Sequence, residues 1–198
     1  YRGNACQAWA ILNGEERIGL CIHKMIGDEL DSGNIIVREY LAIDRDTKVT
    51  KCWEWMTNRV PALFSEAVEK LEQDSRYVLE QQSLDPRKAL RCYPRKPEDG
   101  RIDWSKSNLE ILRLINASNK PYSGAFCEFE GQKMIIWDAE LVDDEETFIA
   151  VPGQVTLVGE SSVEVACNQG KLRLKEVEVA RTPGNPSRWL KSIRKRLQ

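Results

Sequence analysis

At 198 residues with 41% apolar and 30% charged side chains, the chain is long enough to bury a real core and too rich in apolar residues to be disordered. A formal net charge of −2 argues against a protein whose main business is phosphate backbones, which calls for clustered Lys and Arg. No stretch approaches the roughly 20 apolar residues of a membrane span. The six cysteines form no C-x-x-C pair and there is one histidine, so a zinc site is not expected. As small buried hydrophobes, those cysteines suit a reducing compartment, and the cytoplasm is the natural reading.

In chain order, residues 5–12 place Ala5, Trp9 and Leu12 on one helical face, with Gly14 where a C-terminal cap belongs. The segments Ile18–Met25 and Ile35–Ile43 are rich in Ile, Leu and Val and bounded by Gly, Asp or Asn, as strands are. Between them runs a polar loop, residues 26–34, with two glycines. From Thr47 onward, Trp53, Met56, Val60, Leu63, Ala67 and Leu71 recur at steps of three and four, which predicts a long amphipathic helix, kinked at Pro61. Residues 83–103, dense in Pro, Arg, Lys and Asp, read as a surface connection carrying function. Ser107 and Glu110 form a capping box for a helix through about Ser118.

After Pro121 the pattern changes to short strands: Phe126–Glu130 and Lys133–Glu140 about Gly131, then Val155–Leu157, Val163–Cys167 and Leu172–Val179. This predicts a small antiparallel barrel, and residues 186–197 read as a closing basic helix. Residues 1–104 form an α/β part with its linker, and residues 105–198 a connecting helix and an all-β part.

Several residues could carry chemistry. Asp31 lies in the loop between two apolar strands, where open α/β sheets meet their ligands, although an Asp before a glycine turn often serves only to bond a nearby backbone N–H. His23 could be a general base; a partly buried ring bonding the loop after it is the favoured alternative. The six tryptophans sit mostly at core periods, and Trp104 could either floor a sugar or base or anchor the next helix. Arg91, Arg95 and Lys96 could hold phosphates through charge-assisted bonds, or simply be solvated. No Ser or Cys is convincingly placed beside a base, so covalent catalysis finds no support.

An ordered set of short elements then stands out. Tyr1-Arg2-Gly3, Trp9-Ala10-Ile11, Asn13-Gly14-Glu15, Ile22-His23-Lys24-Met25 and Asp31-Ser32-Gly33-Asn34 are followed by Asp99-Gly100-Arg101-Ile102-Asp103-Trp104, Pro121-Tyr122-Ser123-Gly124 and Pro152-Gly153-Gln154-Val155. In order and spacing this resembles the 10-formyltetrahydrofolate-dependent formyltransferase family over nearly the whole chain. The resemblance implies the C-terminal part of a Rossmann-like formyl-transfer domain, a small OB-like antiparallel barrel and a terminal helix, with 10-formyltetrahydrofolate as co-substrate and no metal. It implies Asp31 as catalytic, with an Asn and a His from an Asn-x-His motif that would lie upstream of Tyr1. The loop Gly27, Asp28, Glu29, Leu30 and Asp31 would contact the folate. The interval from His23 to Asp31 is one residue longer than in some members, and Cys6 stands where proline is usual.

Two acceptors compete under the resemblance. The run Arg95 to Gly100, the Pro121 segment and the basic end look more like sugar N-formyltransferases than like the methionyl-tRNA enzyme. The expected partner is therefore a nucleotide-linked amino sugar, with Arg2 and Arg95 for its phosphates and Trp104 packed nearby; tRNA is the alternative. A homodimer is compatible with the apolar strands and long helix, and a membrane partner is not expected. A catalytically silent remnant serving as a binding module is the reading from another class.

Overall fold

The computed structural model describes residues 1–27, 30–143 and 146–198. The chain divides into two compact units, one formed by Tyr1–Asp44 and Thr50–Arg95, the other by Arg45–Val49 and Lys96–Gln198.

In the first unit, β1 (Arg2–Gly3) pairs parallel with β4 (Arg91–Cys92), joining the start of the chain to the middle of the polar connection. Helix α1 (Cys6–Asn13) ends at Gly14, whose left-handed backbone (φ 68°) lets its N–H cap the carbonyls of Ala10 and Ile11. Its buried face is Gln7, Ala8, Ala10 and Ile11. The expected face of Ala5, Trp9 and Leu12 is only half-buried, and the Trp9 indole N–H donates to the Tyr93 carbonyl at 3.0 Å.

Strands β2 (Arg17–His23) and β3 (Ile35–Ala42) form an antiparallel hairpin, registered from Arg17 opposite Ala42 to His23 opposite Ile35. Ile36 and Val37 of β3 bury against Leu63 and Ala67 of α2 (Val49–Gln73), with Leu20, Ile22, Leu71 and Tyr77 packed around them. The expected helix is present and continues through Pro61. Its face is read only in part: Leu63 and Ala67 are core, whereas Trp53 and Val60, at the same period, are more than a third exposed. Helical spacing identifies a stripe, but not which part of it is covered.

In the second unit, Ser107 caps α3 (Asn108–Ala117): its Oγ accepts from the Glu110 N–H while the Glu110 carboxylate accepts from the Ser107 N–H. The apolar face of α3, with Ile111, Leu112 and Ile115, joins a core built by β5 (Ala125–Phe129), β6 (Gln132–Leu141), β7 (Val155–Val158), β8 (Val163–Ala166) and β9 (Lys171–Val179). These strands form an antiparallel sheet in the order β5-β6-β9-β8-β7. A further strand, β10 (Thr182–Gly184), hairpins onto β9 through Ala180 and Arg181, whose φ values of 49° and 63° are left-handed. That tight turn normally announces itself by Asn-Gly, and its absence hid the strand.

The closing basic helix is corrected. Residues 186–188 form one short 3-10 turn, a second turn closes with the Lys195 N–H on the Ser192 carbonyl, and Arg196 then bridges Gln154. Leu190 and Leu197 bury completely in the sheet's core. The Val155 N–H donates to the Lys195 carbonyl at 3.1 Å, the Leu197 N–H to the Gly153 carbonyl at 2.8 Å, and Glu128 and Gln198 exchange both backbone bonds. The chain end thus satisfies the open edges of β7 and β5, and a helix would have left those edge groups unpaired.

Candidate active site

The loop after β2 returns to β3 through a constrained turn. The Lys24 N–H donates to the Asn34 carbonyl at 3.0 Å, and Ser32 is buried beneath. At Gly33 an added Cβ would stand 1.7 Å from the Lys24 carbonyl oxygen, so only glycine lets the two sides of the loop approach this closely. Asp31, two residues earlier, adopts φ 57°, a left-handed backbone that Asp tolerates better than most residues. The turn is fixed from a third side by Gln82, whose amide N–H donates to the Gly33 carbonyl at 2.7 Å.

This geometry holds the Asp31 carboxylate half out in solvent, 40% exposed, between two basic groups. One oxygen lies 3.8 Å from His23 Nε2 and the other 3.6 Å from an Arg91 guanidinium nitrogen. The opposite ring nitrogen of His23, Nδ1, is 3.0 Å from the Lys24 carbonyl. Because a carbonyl only accepts, that contact puts the proton on Nδ1 and turns Nε2 toward Asp31. His23 is thus the partly buried ring bonding the loop after it. Beside the carboxylate, the Cys6 thiol is pushed up to about 11 by burial, with the adjacent Cys92 thiol acting the same way. It is therefore no ready nucleophile.

Around this turn Met25, Ile26 and Leu30 expose apolar side chains and Gly27 is also exposed. Asp28 and Glu29, expected beside them, lie outside the described residues.

Arg2 reaches the same turn indirectly. Its Nε donates to Gln82 Oε1 at 3.2 Å and a terminal nitrogen donates to the Ser83 carbonyl at 3.0 Å. It lines a cavity of about 640 Å3 in the first unit, together with Arg17, Arg38, Lys88, Tyr40 and Glu80. Arg17 stacks on the Tyr40 ring at 4.3 Å, and Arg38 is tied to Glu80 at 2.8 Å. Arg95 places its guanidinium 5.9 Å from the Trp9 ring centre.

Trp104 is placed differently from its expected role at a ligand. It is 4% exposed within the core of the second unit, in one cluster with Ile102, Leu112 and Cys127, so its ring serves packing. Arg91, read as a phosphate holder, is on Asp31 instead. Gln82 had no signal at all, since an isolated polar residue in a polar stretch matches no motif. Among the described residues no group of three His, Cys, Asp or Glu could hold a metal, and no helix is long and apolar enough to cross a membrane.

Solved structures with this fold include HypX from Aquifex aeolicus in complex with tetrahydrofolic acid, at a TM-score of 0.70 and 20% identity over 97% of this chain and 33% of that one. An N-formyltransferase from Helicobacter canadensis, in complex with folinic acid and dTDP-3-aminofucose, gives 0.62 and 19% over 88% of this chain and 61% of that one. Methionyl-tRNA formyltransferase from Clostridium thermocellum gives 0.56 and 18% over 71% and 58%. The chain thus spans about a third of HypX and about three fifths of the other two proteins.

Residues 1–68 match the formyl transferase model, and residues 95–194 match the formyl transferase C-terminal domain. The chain belongs to the formyl transferase family.

Proposed function

We propose that the protein carrying this chain transfers a formyl group from 10-formyltetrahydrofolate to the amine of a nucleotide-linked amino sugar. The observation that carries the reading is the Asp31 carboxylate, raised on a left-handed turn between His23 and Arg91 beside exposed apolar side chains. Met25, Ile26 and Leu30 suit the flat ring of a folate. In formyl transfer the amine attacks the formyl carbon, an oxyanion forms, and the amine must lose a proton before tetrahydrofolate departs. Asp31 is placed to accept that proton or to orient the group that does, and the Asn and His of the expected upstream motif would hold the oxyanion. Arg2 and Arg95 are the candidates for the nucleotide phosphates.

The second unit bears on the acceptor: its sheet, bridged at both edges by the chain end, supports an OB-like barrel. A barrel that grips tRNA needs unpaired cations. Here Lys171, Arg173 and Lys175, alternating along β9, are each paired with carboxylates: Lys171 with Glu146 and Glu164, Arg173 with Glu164 and Glu140, Lys175 with Glu140 and Asp138. Lys48 pairs with Asp138 at 2.6 Å. That face is charge-balanced, which favours the sugar over tRNA.

The test offers 10-formyltetrahydrofolate with amino-sugar nucleotides and with methionyl-tRNA to the intact protein. Sugar formylation is expected, and Asp31→Asn should lower it about a hundredfold or more with the fold retained. Formylation of tRNA alone reverses the acceptor; no formylation of either favours a binding module.

A further inference from the structure

Gln82 bridges two parts of the first unit that a reaction with two substrates must coordinate. Its Oε1 accepts from Arg2 Nε at 3.2 Å and its Nε2 donates to the Gly33 carbonyl at 2.7 Å. The orientation of the amide is unambiguous, because guanidinium only donates and a carbonyl only accepts. The reversed amide would set two donors and two acceptors against each other. Among the described residues, Gln82 and Ser83 engage two of the five N–H groups of Arg2. At the other end, the Gly33 carbonyl belongs to the turn that sets the Asp31 backbone at φ 57°.

We propose that Gln82 is a positioning residue that couples Arg2 to the Asp31-Ser32-Gly33 turn, so that a diphosphate held by Arg2 and a folate held by the turn strengthen each other's binding. This rests on the proposed function for the identity of both ligands. An anion on the guanidinium fixes Nε, Nε fixes the amide, and the amide fixes the Gly33 carbonyl. A folate that needs the turn ordered then meets it already ordered. By linkage the folate must favour the anion to the same degree.

The test titrates the intact protein with 5-formyltetrahydrofolate, with and without pyrophosphate as the portion common to nucleoside-diphosphate sugars. In the unaltered protein pyrophosphate should tighten folate binding about 5-fold or more. In Gln82→Leu folate alone should bind more weakly, because the Gly33 carbonyl loses its donor, and the tightening factor should fall to about 1. Gln82→Glu keeps an acceptor for Arg2 but sets a carboxylate against the Gly33 carbonyl. It should weaken folate binding and also abolish the linkage. A purely structural role would weaken folate equally with and without pyrophosphate and leave the factor intact.

Linkage that survives in Gln82→Leu, or is missing from the unaltered protein, overturns the role of Gln82. Formyl transfer measured alongside is judged separately. Linkage without formylation of any amino-sugar nucleotide overturns the acceptor reading and leaves Gln82 standing, whereas formylation without linkage overturns Gln82 alone.

Discussion

Arg91 and His23 flank different oxygens of the Asp31 carboxylate, a guanidinium nitrogen of Arg91 at 3.6 Å and Nε2 of His23 at 3.8 Å, and Arg91 is the charged partner that orients the acid without sealing it from solvent. Arg91 is there because β4 pairs in register with β1, setting Arg91 beside Arg2. With both partners about two-fifths exposed, the pair adds under about 1 kcal/mol to stability. Its removal should tell in rate. Arg91→Leu is expected to leave the melting temperature nearly unchanged and to lower kcat about tenfold through a misoriented Asp31. Had Arg91 held acceptor phosphates, the acceptor KM would rise with kcat intact, so a steady-state comparison of the two parameters decides.

Gly33 makes a sharper prediction about the turn. A methyl group at Gly33 would stand 1.7 Å from the Lys24 oxygen and 3.4 Å from His23 Nδ1. The first contact is with main chain, which cannot swing aside as a side chain would. Gly33→Ala should therefore open the loop, break the Lys24 to Asn34 bond and weaken folate binding tenfold or more, on the order of 1.4 kcal/mol or above. Lys24 and Gly33 belong to no helix or strand, so far-ultraviolet circular dichroism should match the unaltered protein. Folate affinity equal to that of the unaltered protein would mean that the turn does not form the folate's contact.

These two residues show what a sequence displays and what it withholds. Gly14, the Ser107 and Glu110 box and the hairpin about Gly131 are local devices written in adjacent residues, and each stands where spacing puts it. Asp31 stands in a short ordered motif, which draws attention to it in the sequence alone. Arg91 and Gln82 reach the turn from about 50 to 60 residues away, through strand pairing that no local pattern encodes. The closing segment failed for a related reason. Leu190 and Leu197 are seven apart, which fits a helix, but β5 and β7 offered unsatisfied backbone groups and the segment paired with them instead. Trp104 was ambiguous because burial, unlike periodicity, depends on what packs from elsewhere.

The charge ladder on β9 ties three neighbouring strands of the second unit together. Lys171 is 3% exposed and Glu164 5% exposed, and Glu164 also holds Arg173 at 2.8 Å. Arg173 lies in register between Glu164 on one neighbour and Glu140 on the other. Burying such a pair gains little over an apolar pair, but losing Glu164 leaves Lys171 to Glu146 and Arg173 to Glu140. Glu164→Leu alone should destabilise by about 1 to 3 kcal/mol, and the double variant Lys171→Met with Glu164→Leu should recover part of that loss. Urea melts of the two single variants and the double variant form a thermodynamic cycle. Strict additivity would show that Lys171 and Glu164 are not coupled.

The cysteines set the alkaline limit of the fold. Burial pushes the thiols of Cys6 and Cys52 up to about 11, and those of Cys127 and Cys167 up to about 12, from an ordinary 9.0. In the unfolded chain these thiols ionise near that ordinary value, whereas in the folded protein they keep their protons well above it. The unfolded state therefore binds fewer protons at alkaline pH, and stability falls as pH rises. The contribution is fully present below about pH 9 and is lost progressively towards pH 11 to 12. Each buried thiol held unionised over one further pH unit is worth about 1.4 kcal/mol. Urea midpoints measured from about pH 8 upwards should decline steeply above pH 9, and the decline should be shallower in Cys127→Ala, which removes one buried thiol. Lysine deprotonation contributes to any alkaline loss, but it is common to both proteins, so the difference in slope isolates the thiol. Identical slopes would show that Cys127 does not keep its proton in the folded state.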